Sequence, residues 1–312
     1  TRIAGPWRHL QVHANGIRLQ CVESLPADNP LDEPATALPL VIFLHGFGSF
    51  WWSWRHQLRE SSGVRVVADD LRGYGGSDKP PRGYDGWTLA GDTAGLIGAL
   101  GHTSATLIGH ADGGLVCWAT SVLHARVVKA IGLVSSPHPA ALKASTLIRR
   151  EQRRALLPTL LRYQVPMVPE RTLTRNDAEQ LERLVRSRAG AEWVAGEDFS
   201  ETIGHLRTAI QIPSAAHCAL EYQRWAVRSQ MRSEGRRFMK LMNRPVDVPL
   251  LHLRGDDDLC VFNDSLIRTR RYAPNGHFAS IPGAGHFAHE EAPADVNHHI
   301  RRFLTEVYGP IR

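Results

Sequence analysis

Gly109-His110-Ala111-Asp112-Gly113 is the stretch on which the reading of this chain turns. A short apolar run, Ala105-Thr106-Leu107-Ile108, leads into it, and Gly114-Leu115-Val116-Cys117-Trp118-Ala119 follows in the manner of a buried helix. A strand that bends sharply into a helix needs small residues on both sides of the bend, and the bend lifts one side chain above the sheet. Gly-x-nucleophile-x-Gly is the outline of such a nucleophile elbow. Its apex here is Ala111, a methyl group that can attack nothing.

Outward from the elbow, strand and helix signals alternate. His9 to Val22 reads as a hairpin turned by Asn15-Gly16. Leu38 to Leu44 is a continuous apolar run, as expected of a strand covered on both faces, and Val64 to Asp69 reads as the next strand. The elbow strand and Ala130 to Val134 follow. From 138 to 245 strand signals stop. Thr174 and Asp177 predict a helix start ahead of Leu181, Leu184 and Val185, with Gly190 past its end. Ser214 to Met242 predicts a longer helix broken near Gly235, and Pro166, Pro169 and Pro213 punctuate the pieces. Strands return at Val248 to Leu253 and His277 to Ile281, and Ala294 to Tyr308 predicts a final helix. The pattern specifies an α/β class with a mostly parallel central sheet flanked by helices. A core of residues 1–137 and 246–312 is expected to carry a helical cap, 138–245, inserted after the sixth strand.

Two more segments stand at strand ends. Gly255-Asp256-Asp257-Asp258 places a carboxylate where a histidine could be oriented, and Gly283-Ala284-Gly285-His286 gives a loop of small residues that can carry His286 over the elbow. Nucleophile, acid, base is the chain order of α/β-hydrolases. The chain resembles that superfamily, and its epoxide hydrolase branch in particular, at His45-Gly46-Phe47-Gly48-Ser49-Phe50-Trp51-Trp52-Ser53-Trp54-Arg55 and at Asp70-Leu71-Arg72-Gly73-Tyr74-Gly75-Gly76-Ser77-Asp78.

The resemblance implies an elbow aspartate that opens the epoxide to form an ester, and a histidine, His286, polarised by Asp258, that activates water against that ester. It implies an oxyanion hole from the amides of Phe47 and Asp112. It also implies two cap tyrosines that donate to the epoxide oxygen. The sequence departs at Ala111, and at Gly48, where the family has proline. Thr159 falls at the first tyrosine position and Gln223 at the second, with Tyr163 and Tyr222 close by as candidates. These tyrosines also read simply as packing of the cap on the core. Trp51, with Trp52 and Trp54, reads as packing of the oxyanion loop, and Trp51 is a candidate lining residue.

Three readings of Ala111 stay open. It is an alanine introduced to silence the site, or it belongs to a protein that binds without hydrolysing, or another group supplies the attack, with His286 as base on water. Asp112 is a poor substitute nucleophile, because one step along a helix turns the side chain by about 100° from the apex. As the first helical residue it also reads as a carboxylate favoured by the helix dipole.

Composition narrows the partners. At 312 residues the chain has room for one large domain with an insertion. No apolar run reaches the roughly 18 residues of a membrane span. Its start, Thr1-Arg2-Ile3-Ala4-Gly5-Pro6, does not look like a signal peptide; without a leading Met it reads as trimmed, so an export signal could have been removed. Cys21, Cys117, Cys218 and Cys260 lack metal or redox spacing and read as thiols of a reducing, cytoplasmic compartment. Net charge is +6, yet residues 138–245 hold 19 Lys and Arg against 11 Asp and Glu. A solvated helical surface explains that excess; contact of the basic cap with a membrane surface is the sharper reading. The arginines are not interleaved with aromatics, so nucleic acid is set aside. The expectation is a small hydrophobic substrate or ligand, no metal or other cofactor, and a monomer or homodimer.

Overall fold

The structure, a computed structural model, describes residues 1–24, 37–60 and 63–310. Its centre is one eight-stranded sheet. The strands are β1 (Trp7–Ala14), β2 (Ile17–Ser24), β3 (Leu40–Leu44), β4 (Arg65–Asp69), β5 (Ala105–His110), β6 (Val128–Val134), β7 (Leu250–Gly255) and β8 (His277–Ile281), in the order β1-β2-β4-β3-β5-β6-β7-β8. β2 runs antiparallel to both β1 and β4, and every other neighbouring pair is parallel. Asn15 and Gly16 have φ of 47° and 78°, the left-handed pair that a tight two-residue hairpin needs.

β3 and β5 are buried along their whole length, as their unbroken apolar sequences require of strands covered on both faces. From β3 the chain passes to β4 on one side and then returns to β5 on the other. Strand order reverses there, so the loops after β3 and β5 diverge and leave a crevice at their carboxyl ends. Gly46-Phe47 and Ala111 occupy those two loops.

Between β6 and β7 the chain forms helices, among them Pro139–Ile148, Arg150–Arg162, Val168–Arg186, Glu197–Ile210, Ala215–Arg228 and Ser233–Met242. The two expected helix boundaries fare differently. One helix runs from Val168 and breaks at Asn176, Asp177 and Ala178, whose φ values of 50°, 53° and 55° are left-handed, and a second begins beyond that kink and carries Leu181, Leu184 and Val185, so a helix does open just after Asp177. Asn and Asp tolerate that conformation, and Asp177 reaches across to Arg207 and Gln211 of the neighbouring helix. The second break falls at Ser229–Met231, a tight 3-10 turn, whereas Gly235 lies inside the following helix. Among the described residues no helix is long and apolar enough to cross a membrane.

Candidate active site

Ala111 sits between β5 and the helix Asp112–Leu123 with φ 47° and ψ −111°, a conformation that a residue with a Cβ rarely adopts. Close packing holds it there. A Cβ at Gly113 would lie 2.2 Å from the Leu44 carbonyl oxygen, and one at Gly109 would lie 2.4 Å from the Gly113 carbonyl carbon. The helix can therefore start hard against the ends of β3 and β5 only with glycine at both places. Ser136 Oγ donates to the Ala111 carbonyl at 2.8 Å. A Cβ on Gly46 would stand 3.2 Å from that of Ala111, which measures how closely the β3 loop flanks the apex. Gly48, at the family's proline position, has φ 72°, which a proline ring cannot reach.

Asp258 and His286 meet as a hydrogen-bonded dyad. His286 Nδ1 donates to the Asp258 carboxylate, at 3.1 Å from Oδ2 and 3.2 Å from Oδ1, and both residues are buried. Burial alone would raise the Asp258 pKa; His286 and the Cys260 amide outweigh it and hold the carboxyl well below its ordinary value. The Cys260 and Val261 amides donate to Oδ1 at 2.7 and 3.0 Å. With Nδ1 so engaged, Nε2 is the ring nitrogen left for the cavity that His286 lines.

That cavity has a volume of about 460 Å³, and Ala111, Asp112, Phe47, Tyr163, Gln223 and His286 are among its lining residues. Its walls are mainly leucine, valine and aromatic side chains. Tyr163 is buried and stacks on Phe47, with ring centres 5.3 Å apart. Thr159 also faces the cavity. Gln223 Nε2 donates to Asp112 Oδ2 at 2.6 Å. Removal from bulk water pushes the Asp112 pKa up to about 6, against the opposing pull of Gln223, Arg188 and His286.

Two candidates need correction. The Tyr222 ring borders the cavity, but its hydroxyl donates to the Arg72 carbonyl at 2.7 Å and so is already committed to the core. Trp51 does not line the cavity. It is fully buried among Trp7, Phe50 and Trp52, and its indole N–H donates to the Thr1 carbonyl.

Three contributors escaped the sequence reading. His110, buried beneath the dyad, donates from Nε2 to the His286 carbonyl at 3.0 Å; burial and the nearby His286 lower its pKa well below normal, which keeps the ring neutral. The clue was its place inside the elbow motif. Glu291 accepts from the amides of Gly285 and Phe287, at 2.6 and 2.9 Å, and from Gly190 at 2.8 Å, so it ties the His286 loop to the helical segment. Arg188 lines the cavity, and its carbonyl accepts from the His286 amide at 2.9 Å. Neither residue carries a local signal, because both act across long stretches of chain. Asp258, Cys260 and His286 also bring their ligand atoms within 4.8 Å of one another. Within that group the Asp258 carboxylate is already engaged by His286 Nδ1 and by the amides of Cys260 and Val261.

A strained strand-to-helix elbow at the sheet's switch point, with an acid–histidine dyad carried on the ends of later strands, defines a class. The chain belongs to the α/β-hydrolase fold family, whose model matches residues 39–293. Within it the chain stands in the epoxide hydrolase branch. It is 31% identical to epoxide hydrolase 3 of Xenopus tropicalis over 97% of this chain and 78% of that one. It is 30% identical to the AB hydrolase superfamily protein YfhM of Bacillus subtilis, over 94% of this chain and 96% of that protein. The fold also matches the crystal structure of Bacillus megaterium epoxide hydrolase in complex with an inhibitor, with a TM-score of 0.79 and 23% identity over 95% of this chain and all of that one.

Proposed function

We propose that this protein hydrolyses a small apolar or lipid-derived epoxide, or an ester, by letting His286 activate water directly, without a covalent enzyme ester. The observation that carries this reading is an intact Asp258–His286 dyad facing an apolar cavity whose elbow apex, Ala111, has no atom to form such an ester. In this scheme the oxygen of a water molecule bonds to the epoxide carbon as its proton passes to His286 Nε2. The carbon–oxygen bond of the ring breaks, and the alkoxide takes the proton back from the imidazolium. Asp258 steadies that imidazolium. Tyr163 supplies the hydroxyl to the departing oxygen, and the Phe47 and Asp112 amides serve a developing oxyanion when the substrate is an ester.

A second reading, a ligand-binding relative without turnover, is favoured by the committed hydroxyl of Tyr222, which leaves one tyrosine donor where the family implies two. Turnover of aryl and fatty-acid epoxides by the native chain, His286→Asn and Ala111→Asp separates the two readings. On the first, the native chain turns over slowly, at about 10³–10⁴ over water, the residue of a site without its nucleophile. His286→Asn then removes that activity. Ala111→Asp raises it, and Ala111→Asp with His286→Asn accumulates an ester on the protein, visible as a mass increase. Native turnover equal to buffer, together with saturable epoxide binding, rejects the first reading in favour of the second.

A further inference from the structure

Exposed apolar side chains are concentrated in one place. Of the ten large hydrophobic residues exposed among the described residues, seven lie between 147 and 168. That stretch covers the end of the helix Pro139–Ile148, the helix Arg150–Arg162 and the turn that follows. Ile148, Leu161 and Met167 are 59%, 54% and 60% exposed, the exposure of side chains with no protein surface covering them. The same stretch is basic: residues 143–171 carry seven Lys and Arg against two Asp and Glu.

The orientation of the helix Arg150–Arg162 is fixed at both ends. Gln152 is fully buried; its Nε2 donates to the Cys260 carbonyl at 2.6 Å, and its Oε1 accepts from the Phe262 amide at 3.1 Å. Beyond the other end, Tyr163 stacks on Phe47, and its carbonyl accepts from Arg224. With those residues inward, Arg150, Arg154, Leu157 and Leu161 follow one another at spacings of four, three and four along the outer face. Arg149 pairs with Asp264, whereas Arg150, Arg153, Arg154 and Arg162 are exposed and form no ion pair among the described residues. Leu147 and Leu157 are exposed and also line the cavity, so this face borders the cavity's mouth.

We infer that this face, from the end of the helix Pro139–Ile148 through Met167, docks on the surface of an anionic lipid bilayer and opens the cavity toward it. An apolar face flanked by unpaired arginines matches an interface where acyl chains meet negative headgroups. The mouth among those leucines gives an apolar molecule dissolved in the bilayer a path that avoids water. This inference concerns delivery and stands whether or not the site turns over.

The test is sedimentation of the full chain with vesicles of phosphatidylglycerol and phosphatidylcholine, and with vesicles of phosphatidylcholine alone. The expected result is binding to the anionic vesicles only, weakened about tenfold or more when salt rises from about 0.1 M to about 0.5 M. Arg153→Gln with Arg154→Gln should weaken it by about fivefold per charge removed. Ile148→Ser with Leu161→Ser, neither residue lining the cavity, should weaken it by about tenfold or more with the melting temperature and ligand binding in solution unchanged. Absence of binding to the anionic vesicles overturns the inference, as does equal binding to both kinds, or binding that survives the serine substitutions. A concentration-dependent dimer that the serine substitutions dissociate would assign the face to a second copy of the chain and overturn it too.

Discussion

Asp112 and Ala111 are adjacent, yet the helix turn gives them different surroundings. Ala111 presents only a methyl to the cavity that His286 also lines, while Asp112 brings a carboxylate to the same cavity and hydrogen bonds to Gln223. Its pKa of about 6 lies above the ordinary 3.8, so the folded chain holds that proton more tightly than the unfolded chain does. Stability therefore falls as pH rises from about 4 to about 6, and the deficit persists above that range. Asp112→Asn keeps an acceptor for Gln223 and cannot ionise. Above pH 6 it is expected to be more stable than the native chain by up to about 3 kcal/mol, and to lose less stability between about pH 4 and about pH 6. Urea unfolding of both chains across that range measures this, and parallel curves would refute it.

Three elements are locked together by Arg55. Its guanidinium, 1% exposed, bonds Glu290 Oε2 at 2.6 Å in the short helix Ala288–Glu291 and also pairs with Asp198 of the helix Glu197–Ile210. Burial pushes the Glu290 pKa up to about 7, with Arg55 pulling the other way. Arg55→Ala leaves two carboxylates without their cation and is expected to lower stability by about 3–5 kcal/mol in urea unfolding. The loss should be smaller at pH 6 than at pH 8, because an unpaired Glu290 can take up a proton at the lower pH. Glu291 makes a second tie between the same regions through the Gly190 amide. The helical segment is thus anchored on both sides of the His286 loop.

At the scale of the whole molecule, a largely apolar cavity stabilises the chain whenever a ligand fills it. An apolar ligand at about a hundred times its Kd is expected to add about 2.7 kcal/mol, read as a rise in melting temperature. Ala111→Trp, which fills the cavity floor, should abolish that rise without abolishing folding. Much of this architecture was legible in the sequence. Unbroken apolar runs marked the buried strands, Asn15-Gly16 marked the hairpin, and the glycines around Ala111 marked the elbow, because each reports a local steric demand. The order of elbow, Asp258 and His286 marked the dyad because strand ends at one edge of a parallel sheet must converge. Side-chain direction across the helical segment was not legible: Tyr222 and Gln223 are neighbours in sequence, and only packing decides that one bonds to Arg72 and the other to Asp112. Trp51 likewise turns away from the cavity because Trp7 and Phe50 enclose it. By itself, then, the sequence determined the sheet, the elbow and the alanine at its apex, which are matters of backbone sterics and atom type. The tertiary structure alone decided which polar groups remain free to meet a ligand and which leucines and arginines share an outer face, since both depend on contacts between segments far apart in the chain.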